Sequence, residues 1–146
     1  MRRTVSIFVV AAVMVLLSTG AALAATFVGT EGRDMIEGTG RNDSISGSGG
    51  DDTLNGLGGK DVVRGGDGAD EAGGGYGADE VYGNAGNDVL IDNPDKDADL
   101  LYGGPGKDNL QVQDFPAVRD VVHCGSGRDT AYVDRLDEVR GCEIVR

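Results

Sequence analysis

GSGGDDTLN (47–55), GLGGKDVVR (56–64), GGDGADEAG (65–73), GGYGADEVY (74–82) and GNAGNDVLI (83–91) are consecutive copies of one nine-residue unit. Each copy holds glycine at position 1, glycine at position 4 and aspartate at position 6. Position 8 is Leu54, Val63, Ala72, Val81 and Leu90, so one small or branched apolar side chain recurs in every copy. Self-similarity at a fixed period decides the architecture before any other feature is weighed.

Glycines at fixed offsets supply backbone conformations with positive φ, and an aspartate closing such a run brings a carboxylate to a place where peptide oxygens converge. The first six residues of each unit therefore read as a turn. The three residues after Asp52, Asp61, Asp70, Asp79 and Asp88 read out, in, out, the period of a short strand with its middle side chain buried. Two copies make one coil, and successive coils stack about 4.8 Å apart as parallel strands. Aspartates eighteen residues apart then lie over one another. Asp34, Asp52, Asp70 and Asp88 line one edge of the stack, and Asp43, Asp61 and Asp79 line the other.

Carboxylates stacked at that spacing repel by roughly 3 to 4 kcal/mol per neighbouring pair at an effective dielectric near 20. The arrangement calls for a cation. Oxygen-only ligands in a carbonyl-rich turn favour calcium, because magnesium demands tighter octahedral geometry and zinc prefers nitrogen or sulfur. The units resemble the hemolysin-type calcium-binding repeat of the RTX β-roll family, GGxGxDxUx, over residues 29–111. The resemblance implies several calcium ions, each between the turns of copies i and i+2, held by position 6 aspartates and nearby backbone carbonyls. The ligands so implied are Asp34, Asp43, Asp52, Asp61, Asp70, Asp79, Asp88, Asp99 and Asp108, with the turn glycines Gly47, Gly49, Gly56, Gly58, Gly65, Gly74 and Gly83. A flexible glycine-rich linker would have no need of an apolar residue at every ninth position.

The chain has 146 residues, 26 glycines, 5% aromatics and no tryptophan, which leaves room for one domain without the bulk of an ordinary globular core. Its formal charge is -12. Nucleic acid is therefore not an expected partner. Residues 1–24 carry Arg2 and Arg3, an apolar run over 5–17 and the small-residue sequence Ala22-Leu23-Ala24, which read as a secretory signal cleaved before Ala25. An uncleaved membrane anchor is the rival, since residues 5–25 nearly suffice to span a bilayer. Cleavage leaves a secreted, extracellular chain with no stable membrane span.

Residues 29–37 and 38–46 are weaker copies, with Ile36 and Ile45 inside. Thr30 and Thr39 replace the second glycine, and Arg41 stands at the fourth position, which weakens the case for a site at Asp43. Asn42-Asp43-Ser44 also matches a glycosylation acceptor, but turn chemistry accounts for it. After Ile91 the phase slips, and Asp99 and Leu101 recover positions 6 and 8 only after a two-residue insertion. Asp95, Asp97 and Asp99 mimic the start of an EF-hand, but Leu100 and Gly106 occupy the places of its glycine and glutamate, so a bulged turn is expected instead. Residues 103–111 give a last near-complete copy with Asp108 and Leu110.

Residues 112–146 change character, with Phe115, Pro116 and fewer glycines, as expected of degenerate repeats capping a stack. Asp120 with Val122, and Asp129 with Ala131, keep the spacing of the unit. Cys124 and Cys142 are eighteen residues apart, so one coil would set their Cα atoms within the window of about 4.4 to 6.8 Å that a disulfide permits. The irregular spacing after Asp129 bears on that register.

Catalytic signatures are missing from the sequence. The one histidine, His123, falls at an outward position, and there is no H-E-x-x-H, G-x-S-x-G or G-K-[ST]. The expected molecule is an all-β, right-handed parallel β-roll (β-solenoid) of nine-residue repeats, two per coil, with a signal at 1–24, a calcium array at 25–111 and a disulfide-bonded cap at 112–146. It folds on calcium and acts as a structural or surface-interaction module on a cell surface or extracellular polymer. A hydrolase with an unrecognised site and an ice- or polysaccharide-binding solenoid are the alternatives. An ice face would need regular threonine or asparagine ranks, and the outward positions in consecutive copies are mixed, as Thr53, Val62, Glu71, Glu80 and Val89 show.

Overall fold

The computed structural model describes residues 24–113 and 117–146. The signal reading for residues 1–24 falls, but for Ala24, outside the described residues, as do Phe115 and Pro116. In chain order the strands are β1 (Thr26–Val28), β2 (Met35–Thr39), β3 (Ser44–Gly49), β4 (Thr53–Leu57), β5 (Val62–Asp67), β6 (Glu71–Gly73) and β7 (Glu80–Ala85). They continue as β8 (Val89–Ile91), β9 (Leu100–Gly106), β10 (Asn109–Gln111), β11 (Val121–Gly127), β12 (Thr130–Tyr132), β13 (Glu138–Arg140) and β14 (Ile144–Val145). Odd-numbered strands form one parallel sheet in sequential order and even-numbered strands form a second. The chain therefore visits the two sheets alternately, one copy per visit and two copies per coil. Among the described residues no helix is long and apolar enough to cross a membrane.

The register follows from the period. Ile45 lies beside Val63, Val63 beside Val81, and Leu54 beside Ala72, each pair one coil apart. Position 8 is buried along both sheets, from Phe27 and Ile36 to Val122 and Ala131, and these side chains line the seam between the sheets as one continuous core. Alternation is strict because side chains on successive strand residues point to opposite faces. In β3 the pattern runs intermediate, buried, intermediate, buried.

The insertion leaves this register intact. Val81 pairs with Leu101 and Leu90 with Leu110, so both sheets absorb the extra residues in a loop over 92–99 and resume. That loop is fastened to the stack where the Gly77 N–H donates to Asp95 Oδ2 at 2.8 Å, and it tightens on itself where the Asp97 N–H donates to Asp95 Oδ1 at 2.7 Å.

Position 4 of the turn is left-handed throughout the central copies, with φ of +100° at Gly50 and +133° at Gly68. Only glycine adopts that region without steric cost. Position 2 is left-handed as well, yet Ser48, Leu57 and Asn84 occupy it with φ of 83°, 76° and 71°. The glycine rule of the unit is therefore firmer at position 4 than at position 2.

Both sheets run on past Gln111 to the end of the chain, and Cys124 is joined to Cys142 with their Cα atoms 5.1 Å apart. The spacing within the last coil is shorter, with Val122 beside Val139 and Ala131 beside Val145, and the disulfide holds across it. Closing a loop of this length contributes roughly 3 kcal/mol in the chain-entropy model. Reduction in saturating calcium should therefore accelerate hydrogen exchange within residues 117–146 and leave the central coils as slow as before. Free thiols in the purified calcium-loaded protein, or faster exchange spread over the whole stack, would contradict a local staple.

Candidate metal centre

Every position 6 aspartate of the unit is buried, from Asp34 and Asp43 through Asp52, Asp61, Asp70, Asp79 and Asp88 to Asp99 and Asp108. Each lies at the junction of turn and strand. One carboxylate oxygen has the same duty in every coil. The Asp34 N–H donates to Asp52 Oδ1 at 2.8 Å, Asp52 N–H to Asp70 Oδ1 at 2.9 Å, and Asp70 N–H to Asp88 Oδ1 at 2.9 Å. The other edge repeats this from Asp43 to Asp61 and from Asp61 to Asp79, both at 2.7 Å. Past the insertion the ladders continue from Asp79 to Asp99 at 2.6 Å and from Asp88 to Asp108 at 3.0 Å.

The second oxygen decides what the site can hold. Oδ2 of Asp52, Asp61, Asp70, Asp79, Asp88 and Asp108 is buried without a hydrogen-bond partner. It faces the position 1 glycine of its own copy. A Cβ added at Gly47 would come within 3.0 Å of both Asp52 Oδ2 and the Gly65 carbonyl oxygen of the next coil. The same holds at Gly56 for Asp61 Oδ2 with the Gly74 carbonyl, at Gly65 for Asp70 Oδ2 with the Gly83 carbonyl, and at Gly83 for Asp88 Oδ2 with the Gly103 carbonyl. A carboxylate oxygen and a peptide oxygen thus converge on a volume that glycine leaves free. Hard oxygens of this kind suit calcium. A Cβ added at Gly74 would meet the Asp79 carboxylate, whereas Gly49 and Gly58, at position 3, enter the turn ladder through N–H bonds to the Thr30 and Thr39 carbonyls.

The first two copies differ. Asp34 Oδ2 accepts the Thr30 N–H at 2.5 Å and the Thr30 hydroxyl at 2.9 Å, and Asp43 Oδ2 accepts the same pair from Thr39 at 2.6 and 2.7 Å. The threonines that break the glycine pattern supply donors where later copies have none.

Burial is the first cause of an upward pKa shift along the ladder. It pushes Asp61, Asp88 and Asp108 up to about 6 and Asp79 up to about 7, and it raises Asp52 and Asp70, all against the lowering effect of the N–H bond to Oδ1. Repulsion from neighbouring aspartates adds to the rise at Asp52, Asp79 and Asp88. The cost that a cation relieves is therefore desolvation before it is like-charge repulsion.

A family model for the RTX calcium-binding nonapeptide repeat, four copies, matches residues 28–63, 55–90 and 95–111. The chain belongs to this RTX repeat family. No curated protein and no solved structure matches it.

Two acidic residues outside the ligand set expected from the RTX unit, Asp92 and Asp120, gather with Asp99. Carboxylate oxygens of Asp92, Asp99 and Asp120 lie within 4.8 Å of one another, all three residues buried. Asp92 stands where position 1 glycine falls nine residues after Gly83, and that broken phase is the signal that would have singled it out. The ladders also close differently from the RTX spacing, because the Asp129 N–H donates to Glu143 Oε2 at 2.8 Å and the Asp120 N–H to Asp137 Oδ1 at 3.2 Å. His123 stacks on Tyr102 with ring centroids 4.8 Å apart, in an outward rank that continues to Tyr82.

Two outcomes follow from this geometry. Asp70→Asn should raise the calcium concentration at the folding midpoint about tenfold, the equivalent of about 1.4 kcal/mol, and Asp34→Asn should shift it far less, because Thr30 already serves Asp34. Equal shifts in calcium titrations of the two variants would contradict this division. The pH dependence has a definite sign: with pKa values raised from 3.8 to about 6 or 7, the metal-free folded stack binds more protons than the unfolded chain. Its stability is present below about pH 4 and lost as pH rises through those values, while calcium has to displace the same protons. Calcium affinity measured by calorimetry should therefore fall from pH 8 to pH 6, and a flat profile would count against buried carboxylate ligands.

Proposed function

We propose that the protein is an exported, non-catalytic module whose β-roll folds around several calcium ions and then presents its outer faces to a cell surface or extracellular polymer. The observation that carries this reading is the recurrence, coil after coil, of a buried Oδ2 converging with a peptide oxygen on a volume that glycine keeps open. Asp52, Asp61, Asp70, Asp79, Asp88, Asp99 and Asp108 are the carboxylate ligands in this reading, with peptide oxygens of turn glycines such as Gly65, Gly74 and Gly83. Asp34 and Asp43 close the amino-terminal end through threonine. Residues 25–111 form the array and residues 112–146 its cap.

Calcium as a folding partner follows from the thinness of the core. One aliphatic side chain per nine ordered residues returns too little against the conformational entropy of ordering them, and unneutralised buried carboxylates add to the deficit. Export is supported by Arg2, Arg3, the apolar run and Ala22-Leu23-Ala24, and by a disulfide, which suits an oxidising compartment.

The test is circular dichroism of the mature protein with calcium and with a chelator. A β spectrum should appear only with calcium, and magnesium should replace it poorly. A β spectrum that survives chelation at neutral pH would overturn the reading.

A further inference from the structure

The two sheets present different outer faces. On the odd-numbered sheet, position 9 forms a closed rank: the Arg64 guanidinium lies 5.2 Å over Tyr82, Tyr82 stacks on Tyr102 at 5.1 Å, and Tyr102 stacks on His123 at 4.8 Å. The ring faces there cover one another and offer little to a ligand. The even-numbered sheet is open. A cavity of about 380 Å³ lies against β8, β10 and β12, lined by Ile91, Asp92, Pro94, Gln111, Gln113 and Tyr132, with Asn109 alongside. A second of about 150 Å³ lies across β4 and β6, where Gly73 leaves the face low between Asn55, Glu71 and Asn93. Ile91 lines both cavities, and the insertion loop contributes Pro94 to one and Asn93 to the other.

We propose that this trough binds a neutral saccharide chain. The inference gives a ligand class to the surface-interaction role proposed above and rests on that role. Amide side chains offer donors and acceptors together, as sugar hydroxyls do. Ile91 and the face of Tyr132 turned away from the Arg146 guanidinium, which lies 5.9 Å over the ring, supply apolar surface for the C–H faces of pyranose rings. From Thr53 on β4 to Tyr132 on β12 the trough crosses four strand spacings, about 19 Å, which suits an extended oligomer rather than a single sugar.

Other occupants fit less well. A polyanion meets Glu71 and Asp92 in a chain of net charge -12. A peptide adding as a strand needs an unpaired sheet edge, whereas β4 to β12 are already paired on both sides. The insertion loop here also acts as a wall of the trough.

The experiment uses the calcium-loaded mature protein and isothermal titration with neutral oligosaccharides of glucose, mannose and N-acetylglucosamine, beside polygalacturonate and an oligolysine peptide. At least one neutral oligomer should bind, and Gln111→Ala and Tyr132→Ala should each weaken it by about fivefold or more. Arg64→Ala, on the opposite face, should leave it unchanged. The calcium midpoint of each variant, read by circular dichroism, checks that folding is preserved. Normal calcium-induced folding with no neutral saccharide bound at millimolar concentration, or with binding only to polygalacturonate or oligolysine, overturns the inference and leaves the calcium reading standing. Failure of the parent protein to fold on calcium overturns the calcium reading instead.

Discussion

The bond from the N–H of one aspartate to Oδ1 of the aspartate a coil later is the constraint on which the rest of this molecule depends. It runs from Asp34 to Asp129, and it commits half of each carboxylate on the way to holding the next turn in register. A neutral acceptor of the same length would do that much. The charge matters because of the other oxygen, which the same geometry buries against the position 1 glycine. A buried, unpaired anion is expensive, so the copies from Asp52 to Asp88 gain from something positive beside that oxygen. Protons and calcium compete for that role, and at neutral pH calcium is the partner the oxygens suit.

Much of this was legible in the sequence, because period and burial are properties of single positions. The apolar residue at position 8, the phase recovered at Asp99 and Leu101, and the pairing of Cys124 with Cys142 all follow from counting along the chain. What counting did not reveal involves direction or exchange between copies. Thr30 and Thr39 read as departures from the unit, yet their hydroxyls satisfy the oxygens that the other copies leave open. The Asp129 N–H is met by the longer Glu143 side chain, from a shorter coil, in place of an aspartate. Asp92 sits at a position where the unit offers no carboxylate at all.

The role of position 1 glycine is a related case. At position 4, positive φ explains glycine, as at Gly68 with +133°. At Gly47, Gly56 and Gly83 no such backbone strain is present, and the reason is space: a methyl group there would occupy the point where carboxylate and carbonyl meet. One glycine bends the chain and the other vacates the site. Sequence alone gives the two the same letter.

The outer faces were the least legible part, for a reason built into the winding. Read copy by copy, positions 7 and 9 look mixed, but consecutive copies lie on opposite sheets, so lateral neighbours come from alternate copies. Taken in that order, Arg64, Tyr82, Tyr102 and His123 fall into one stacked rank, while Gly73, Ile91, Gln111 and Tyr132 fall into an open one. The interior asks the same of every coil and cannot distinguish one ligand from another. On the outer surface the coils differ in the outward ranks and in the loop over residues 92–99. On one face the rings are spent on each other, and on the other the loop stands beside amides and an aromatic ring with room between them.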